Sequence, residues 1–161
     1  MNQDKIENLL QQHQLRITKC RTDIILFFLE ASFALSAKDL ENKFPQYDRV
    51  TIYRTLHSFI EKNMIHPIPS DGGAALYGLS DSIRKSSNEE DSQQHSPLME
   101  PLEVSLTGLH HDEHIHFSCH ACGRTLCLPE QTIPKVNLPQ GYQVREVEMV
   151  VKGYCKSCSP S

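Results

Sequence analysis

At 161 residues, with 39% hydrophobic and 22% charged side chains, the chain can bury one good core or two small ones and has an ordinary globular composition. A formal net charge of −4 gives no overall attraction to nucleic acid, and no run approaches the ~20 apolar residues that a membrane helix needs. The charge is unevenly spread. Residues 15–62 hold eight Lys/Arg against six Asp/Glu, and residues 81–161 seven against eleven, so only the front of the chain is mildly basic. The polar start Met1-Asn2-Gln3-Asp4-Lys5 lacks the pattern of a signal peptide, so a cytoplasmic, thiol-reducing setting is expected.

In chain order, Ile6, Leu9 and Leu10 at helical spacing predict an amphipathic helix over 2–13. Thr18 is placed to cap a second helix running to about Ala31, whose Ile24–Leu29 core is apolar almost all round. Cys20, in its first turn, reads as a packed small side chain. Ser36 and Asp39 form an approximate capping box for a third helix, which should stop near Phe44-Pro45. Asp48 caps a fourth, 49–62, with Ile52, Leu56, Phe59 and Ile60 on the inward face and Arg54 nearly opposite. Met64–Ile68 and Ala74–Leu79, joined through Asp71-Gly72-Gly73, read as a hairpin.

Helices followed by a two-stranded wing predict a winged helix-turn-helix whose fourth helix enters the major groove of double-stranded DNA. Tyr53, Arg54, Thr51 and Arg49 are its candidate contacts, with Arg16 and Lys19 reaching phosphates. Taken alone, that helix face would read as an ordinary solvated surface, and the wing is what changes the reading. From Ser80 to about Pro101 the composition turns polar and reads as a flexible linker. Beyond it, Leu102–Leu106 suggests a short strand, 129–137 a short helix, and Gln143–Val151 the main strand of an α+β unit.

The strongest signal is Cys119-His120-Ala121-Cys122 answered by Cys155-Lys156-Ser157-Cys158. Two C-x2-C pairs supply the four thiolates of a tetrahedral structural zinc site. The alternatives are two disulfides, which need an oxidising compartment, or a redox motif, which needs only one pair. The gap from Cys122 to Cys155 exceeds the ~15–20 residues of a simple zinc ribbon, so a small domain must fold between the halves of the clamp. A second cluster precedes it. His114 and His116 alternate along an extended segment and so share a side, with Cys127 on the returning strand plausibly across from them. Five histidines within His110–His120, with Asp112 and Glu113 among them, point to a second metal site.

In combination, Arg49-Val50-Thr51-Ile52-Tyr53-Arg54-Thr55-Leu56, Ser36-Ala37-Lys38-Asp39-Leu40, His114-x-His116-x2-Cys119-x2-Cys122-Gly123 and the final C-x2-C resemble the ferric uptake regulator (Fur) family. The resemblance covers most of the chain apart from about 81–109. It implies an α+β architecture: a winged-helix DNA-binding domain (1–79), a linker (80–109) and a small α/β metal-binding dimerisation domain (110–161) with a four-cysteine zinc knot. It also implies a homodimeric repressor on pseudo-palindromic operators, with no membrane or small-molecule substrate as partner. His114, His116 and the position of Cys127 match the family's regulatory metal site, and Tyr53 and Arg54 its recognition-helix pair.

Three departures stand out. Ala34 occupies a position where the family usually has a histidine ligand, Gly78 one where a glutamate is common, and Cys127 one where a carboxylate is common. Either His95, His110, His111, Asp112 or Glu113 supplies replacement ligands or sensing is altered. A thiolate softens the site and favours Zn2+ over Fe2+ or Mn2+ as the second divalent ion. The main rival is a DNA-binding regulator whose zinc is only structural. An enzyme is disfavoured, because a zinc hydrolase needs an open metal position and a placed base, and no H-E-x-x-H occurs.

Overall fold

The computed structural model describes residues 3–70, 73–88, 114–131, 133–144 and 147–159. Helix α1 (Gln3–Gln12) buries Ile6 and Leu10. Helix α2 (Lys19–Glu30) begins where the Thr18 side chain accepts a hydrogen bond from the Arg21 amide, as its sequence predicts. It buries Cys20, Ile24, Ile25 and Phe28. Strand β1 (Leu35–Ser36) leads directly into α3 (Ala37–Lys43), where Ser36 and Asp39 form a complete capping box. The helix stops at Lys43, with Phe44 as its C-cap before Pro45.

Helix α4 (Arg49–Glu61) is capped by Asp48, whose carboxylate accepts from the Thr51 amide (3.0 Å) and hydroxyl (2.6 Å). Ile52, Leu56 and Phe59 are buried in the core it shares with α2 and α3, and Thr55 joins them because its hydroxyl donates back to the Thr51 carbonyl. Asn63, at φ 51°, ends the helix in the left-handed conformation that asparagine tolerates. Strands β2 (Ile65–Ile68) and β3 (Leu76–Leu79) form the expected hairpin, and β1 adds to its far side, giving the order β1-β3-β2.

Two expectations from composition and pattern give way here. The polar segment after Ser80 begins with a helix, α5 (Asp81–Asn88), whose only apolar residue, Ile83, is buried in the main core. The Ser80 amide donates to the Met64 carbonyl (3.0 Å) just before the helix, so tertiary anchoring rather than propensity starts it. No helix forms among the described residues of 129–137, because Pro129 and Pro134 lack amide donors and break the ladder. The Leu102–Leu106 strand lies outside the described residues, as do His95, His110, His111, Asp112 and Glu113.

The C-terminal sheet has the order β5-β4-β6, built from β4 (Ile115–Cys119), β5 (Thr125–Leu128) and β6 (Met149–Gly153). β4 pairs antiparallel with β5 and parallel with β6. The long strand expected over 143–151 is therefore short and starts later. Its ladder begins where β4 begins, with Ile115 opposite Met149.

Several contacts join this sheet to the N-terminal unit, two of them away from its histidines. The Ala34 amide donates to the Thr125 carbonyl (2.7 Å), and the Arg124 guanidinium lies over the Phe33 ring (4.9 Å). Ala34, Ile68, Leu76 and Cys127 form a small apolar cluster at the seam.

Candidate metal centres and DNA-facing helix

Cys119 ends β4, Cys122 follows in the turn to β5, and Cys155 and Cys158 follow β6. The parallel β4–β6 pairing therefore brings both C-x2-C pairs to one end of the sheet. Their four sulfur atoms lie within 4.8 Å of one another, and all four are free thiols. The Cys122–Cys155 sulfur separation is 3.9 Å, against about 3.8 Å expected between two thiolates on a tetrahedral zinc with ~2.3 Å bonds. Gly123, at φ +70°, turns the chain back toward β5 in a conformation that favours glycine. Amides of Cys122 and Cys155 hydrogen-bonding its sulfur hold the Cys119 thiol well below its ordinary pKa. Cys158, sharing protons with Cys155 and Cys122, is pushed up. Four crowded thiols cannot all ionise without a cation, so this donor set fits structural zinc. At 3.9 Å the Cys122 and Cys155 sulfurs are not bonded to one another.

A second cluster lies at the seam. His114, His116 and Cys127 converge as the sequence predicts, with His116 directly opposite Cys127 on the β4–β5 ladder. The fourth member is His66 of wing strand β2, which the sequence reading did not single out. Its Nε2 lies 3.2 Å from His116 Nε2 and 3.7 Å from Cys127 Sγ. Tetrahedral zinc would space two imidazole nitrogens by about 3.3 Å and a nitrogen–thiolate pair by about 3.6 Å. One ligand atom from each of the four residues falls within 4.8 Å of the others.

His114, His116 and Cys127 are all buried, and His66 is half-buried. Asp81, which opens α5, places Oδ2 3.2 Å from His114 Nδ1, where a carboxylate would orient the imidazole if its other nitrogen held an ion. Both centres thus present complete sets of four protein donors, whereas a hydrolytic zinc keeps one position open.

The outer face of α4 carries the predicted contacts. Arg54 is exposed, and Tyr53 is exposed despite its size. Arg49 stacks over the Tyr53 ring (5.4 Å) and pairs with Glu41 (3.3 Å), so it fixes the tyrosine as much as it points outward. Thr51 spends its hydroxyl on the Asp48 cap. Arg16 is exposed, and Lys19 pairs with Asp23 at 3.2 Å. The Tyr47 hydroxyl donates to Asp23 (2.6 Å), tying α2 to the turn that precedes α4. Burial, with Asp23 beside it, pushes that phenol up to about 12.

No family model matches the sequence. Solved structures do match along nearly the whole chain. A zinc uptake regulator complexed with zinc and DNA superposes with TM-score 0.56 at 18% identity, covering 96% of this chain and 91% of that one. The Helicobacter pylori ferric uptake regulator, whose structure is described as revealing three functional metal binding sites, gives 0.53 at 15% identity, covering 100% and 96%. The Vibrio cholerae ferric uptake regulator gives 0.51 at 18%, covering 92% and 98%. This is the ferric uptake regulator fold.

Within the Fur fold, two of the three departures read from sequence, Ala34 and Gly78, acquire a physical account. Ala34 uses its backbone, not its side chain, to join the two units. Gly78 sits directly across the β2–β3 ladder from His66, so the imidazole arrives from the neighbouring strand. His66 shares a rung with Gly78, a relation that only the strand register reveals and that no local sequence pattern marks.

Proposed function

We propose that this chain is a Fur-family transcription regulator, a metal-responsive DNA-binding repressor that acts as a cytoplasmic homodimer on pseudo-palindromic operators. Four cysteines, Cys119, Cys122, Cys155 and Cys158, hold structural zinc, while His66, His114, His116 and Cys127 hold the sensed ion. With three nitrogens and one thiolate in a closed set, zinc is favoured there over iron or manganese. The single observation that carries the reading is the position of the second centre. One ligand stands on the wing of the DNA-binding unit and three stand on the C-terminal sheet.

A bound divalent ion supplies the attraction that draws these four side chains together. Without it, three imidazoles and a thiol must share one pocket with no charge to gather them. Closure of the pocket fixes the wing, and hence α4, against the sheet on which two copies meet. That sheet has one edge engaged by Ala34 at Thr125, while the outer edge of β6 is open among the described residues. Exposed Val136, Leu138, Tyr142, Val144, Val151 and Tyr154 lie in the same part of the chain, an apolar surface suited to a second copy.

The test selects binding sites from random duplexes, then measures affinity with the second centre loaded with zinc, iron or manganese, or left empty. Zinc is expected to tighten binding by about 5–150-fold, the usual range of allosteric coupling. His66→Ala is expected to keep one zinc per chain and lose that gain. Equal affinity in every state, with one zinc per chain throughout, favours instead a regulator whose zinc is purely structural.

A further inference from the structure

The second centre is built against bare backbone. A Cβ added at Gly78 would lie 2.7 Å from Cys127 Sγ and 2.8 and 2.9 Å from His66 Nε2 and Cε1. Real Cβ atoms essentially never come so near, and the obstructed atoms include two of the four prospective ligand atoms. The conformation of Gly78 is not the reason for a glycine there, because its φ is not in the left-handed region and alanine could adopt this backbone. Space is the reason. β3 passes close behind the cluster, and its missing side chain is the room into which the imidazole and the thiol close. Around the remaining sides stand the buried His114 and His116, with Ala34, Ile68 and Leu76 packed against Cys127.

We propose that Gly78 is the selectivity-determining residue of this centre. By carrying no side chain it lets His66 and Cys127 approach to the separation a small four-coordinate ion requires, and its backbone closes that side to further ligands. Ions that prefer six oxygen-rich ligands at octahedral angles, such as manganese, find neither that many oxygen donors nor the space among the described residues. A methyl group at this position wedges His66 from Cys127 and forces one of them off the ion. The inference rests on the metal reading of the cluster given above, and the test separates the two.

The probe is Co2+, titrated into full-length protein that already carries its one tightly held zinc per chain. Four-coordinate cobalt with a thiolate ligand absorbs strongly in the visible, and six-coordinate cobalt weakly. The wild type is expected to take up one cobalt per chain with the intense spectrum, and to bind manganese far more weakly. Gly78→Ala is expected to weaken cobalt binding at least tenfold or to convert the spectrum to the weak form, while retaining its structural zinc.

Unchanged affinity and spectrum in Gly78→Ala overturns the role of Gly78 and leaves the centre standing. A wild type that takes up no cobalt overturns the centre itself, and the role of Gly78 with it. Folding is controlled by a double variant. If the methyl acts through the crowded sulfur, the drop in melting temperature caused by Gly78→Ala shrinks in a Cys127→Ala background. An equal drop in both backgrounds assigns the effect to the strand and overturns the proposal.

Discussion

At the scale of single residues, exposure and engagement divide the predicted DNA contacts. Arg54 stands exposed on α4, whereas Arg49 is committed to Glu41 and the Tyr53 ring. An arginine reading a base edge is worth about 1–3 kcal/mol of discrimination. Arg54→Ala is therefore expected to weaken binding by that amount and relax sequence preference at one position. Arg49→Ala should cost less, through loss of Tyr53 positioning, and competition binding with single-base operator variants distinguishes them. The cysteine pairs were legible because their spacing is itself the chemistry, and His114 and His116 because period-two alternation puts both on one side. His66 was not legible, because an isolated histidine on a strand carries no local pattern. Only the ladder that sets it opposite Gly78 gives it meaning.

At the scale of elements, caps proved easier to read than interiors. Thr18, Ser36 and Asp48 each start the helix their sequence promised, since a side chain that can satisfy free amides is a local property. The Thr51 hydroxyl, followed by its amide, holds the Asp48 carboxyl below its ordinary pKa. A depressed carboxyl contributes stability that is present above the unfolded value, near 4, and is lost as pH falls through the folded one. Asp48→Asn keeps a capping side chain but cannot titrate. Its melting temperature is therefore expected to fall less than that of the wild type between pH 5 and pH 3, as followed by circular dichroism. What the sequence left obscure were elements made by their partners. Helix α5 is fixed by one buried isoleucine and the bond from the Ser80 amide to the Met64 carbonyl, and the extent of β6 follows the length of β4.

At the scale of the whole molecule, the two centres share a strand. β4 carries His116 within it and Cys119 at its end, and β5 returns from the cysteine turn to deliver Cys127 opposite His116. The four cysteines therefore stand at the end of the same strands that carry His116 and Cys127, and an ion held there would brace the register on which the other site depends. A chelator strong enough to strip both ions is expected to abolish the C-terminal sheet. A milder one should empty only the inter-unit site and leave the fold and one zinc per chain. Metal analysis beside circular dichroism at stepped chelator strength checks this, and release of both ions in a single step would contradict it. The fold class was readable because the helix-and-wing order and the paired cysteines agree, although they lie far apart in the chain.

The clasp between Ala34 and Thr125 is main chain to main chain, and Arg124 reinforces it from above the Phe33 ring. Neither element involves an ion. A starved cell would therefore not hold this molecule as two loosely tethered halves, since part of the embrace persists without any cargo. For a regulator of the proposed kind, that predisposition sets a floor under silencing. Target promoters would be damped to some degree even when metal is scarce. Proline at position 34, which removes the donor amide, would lower that floor.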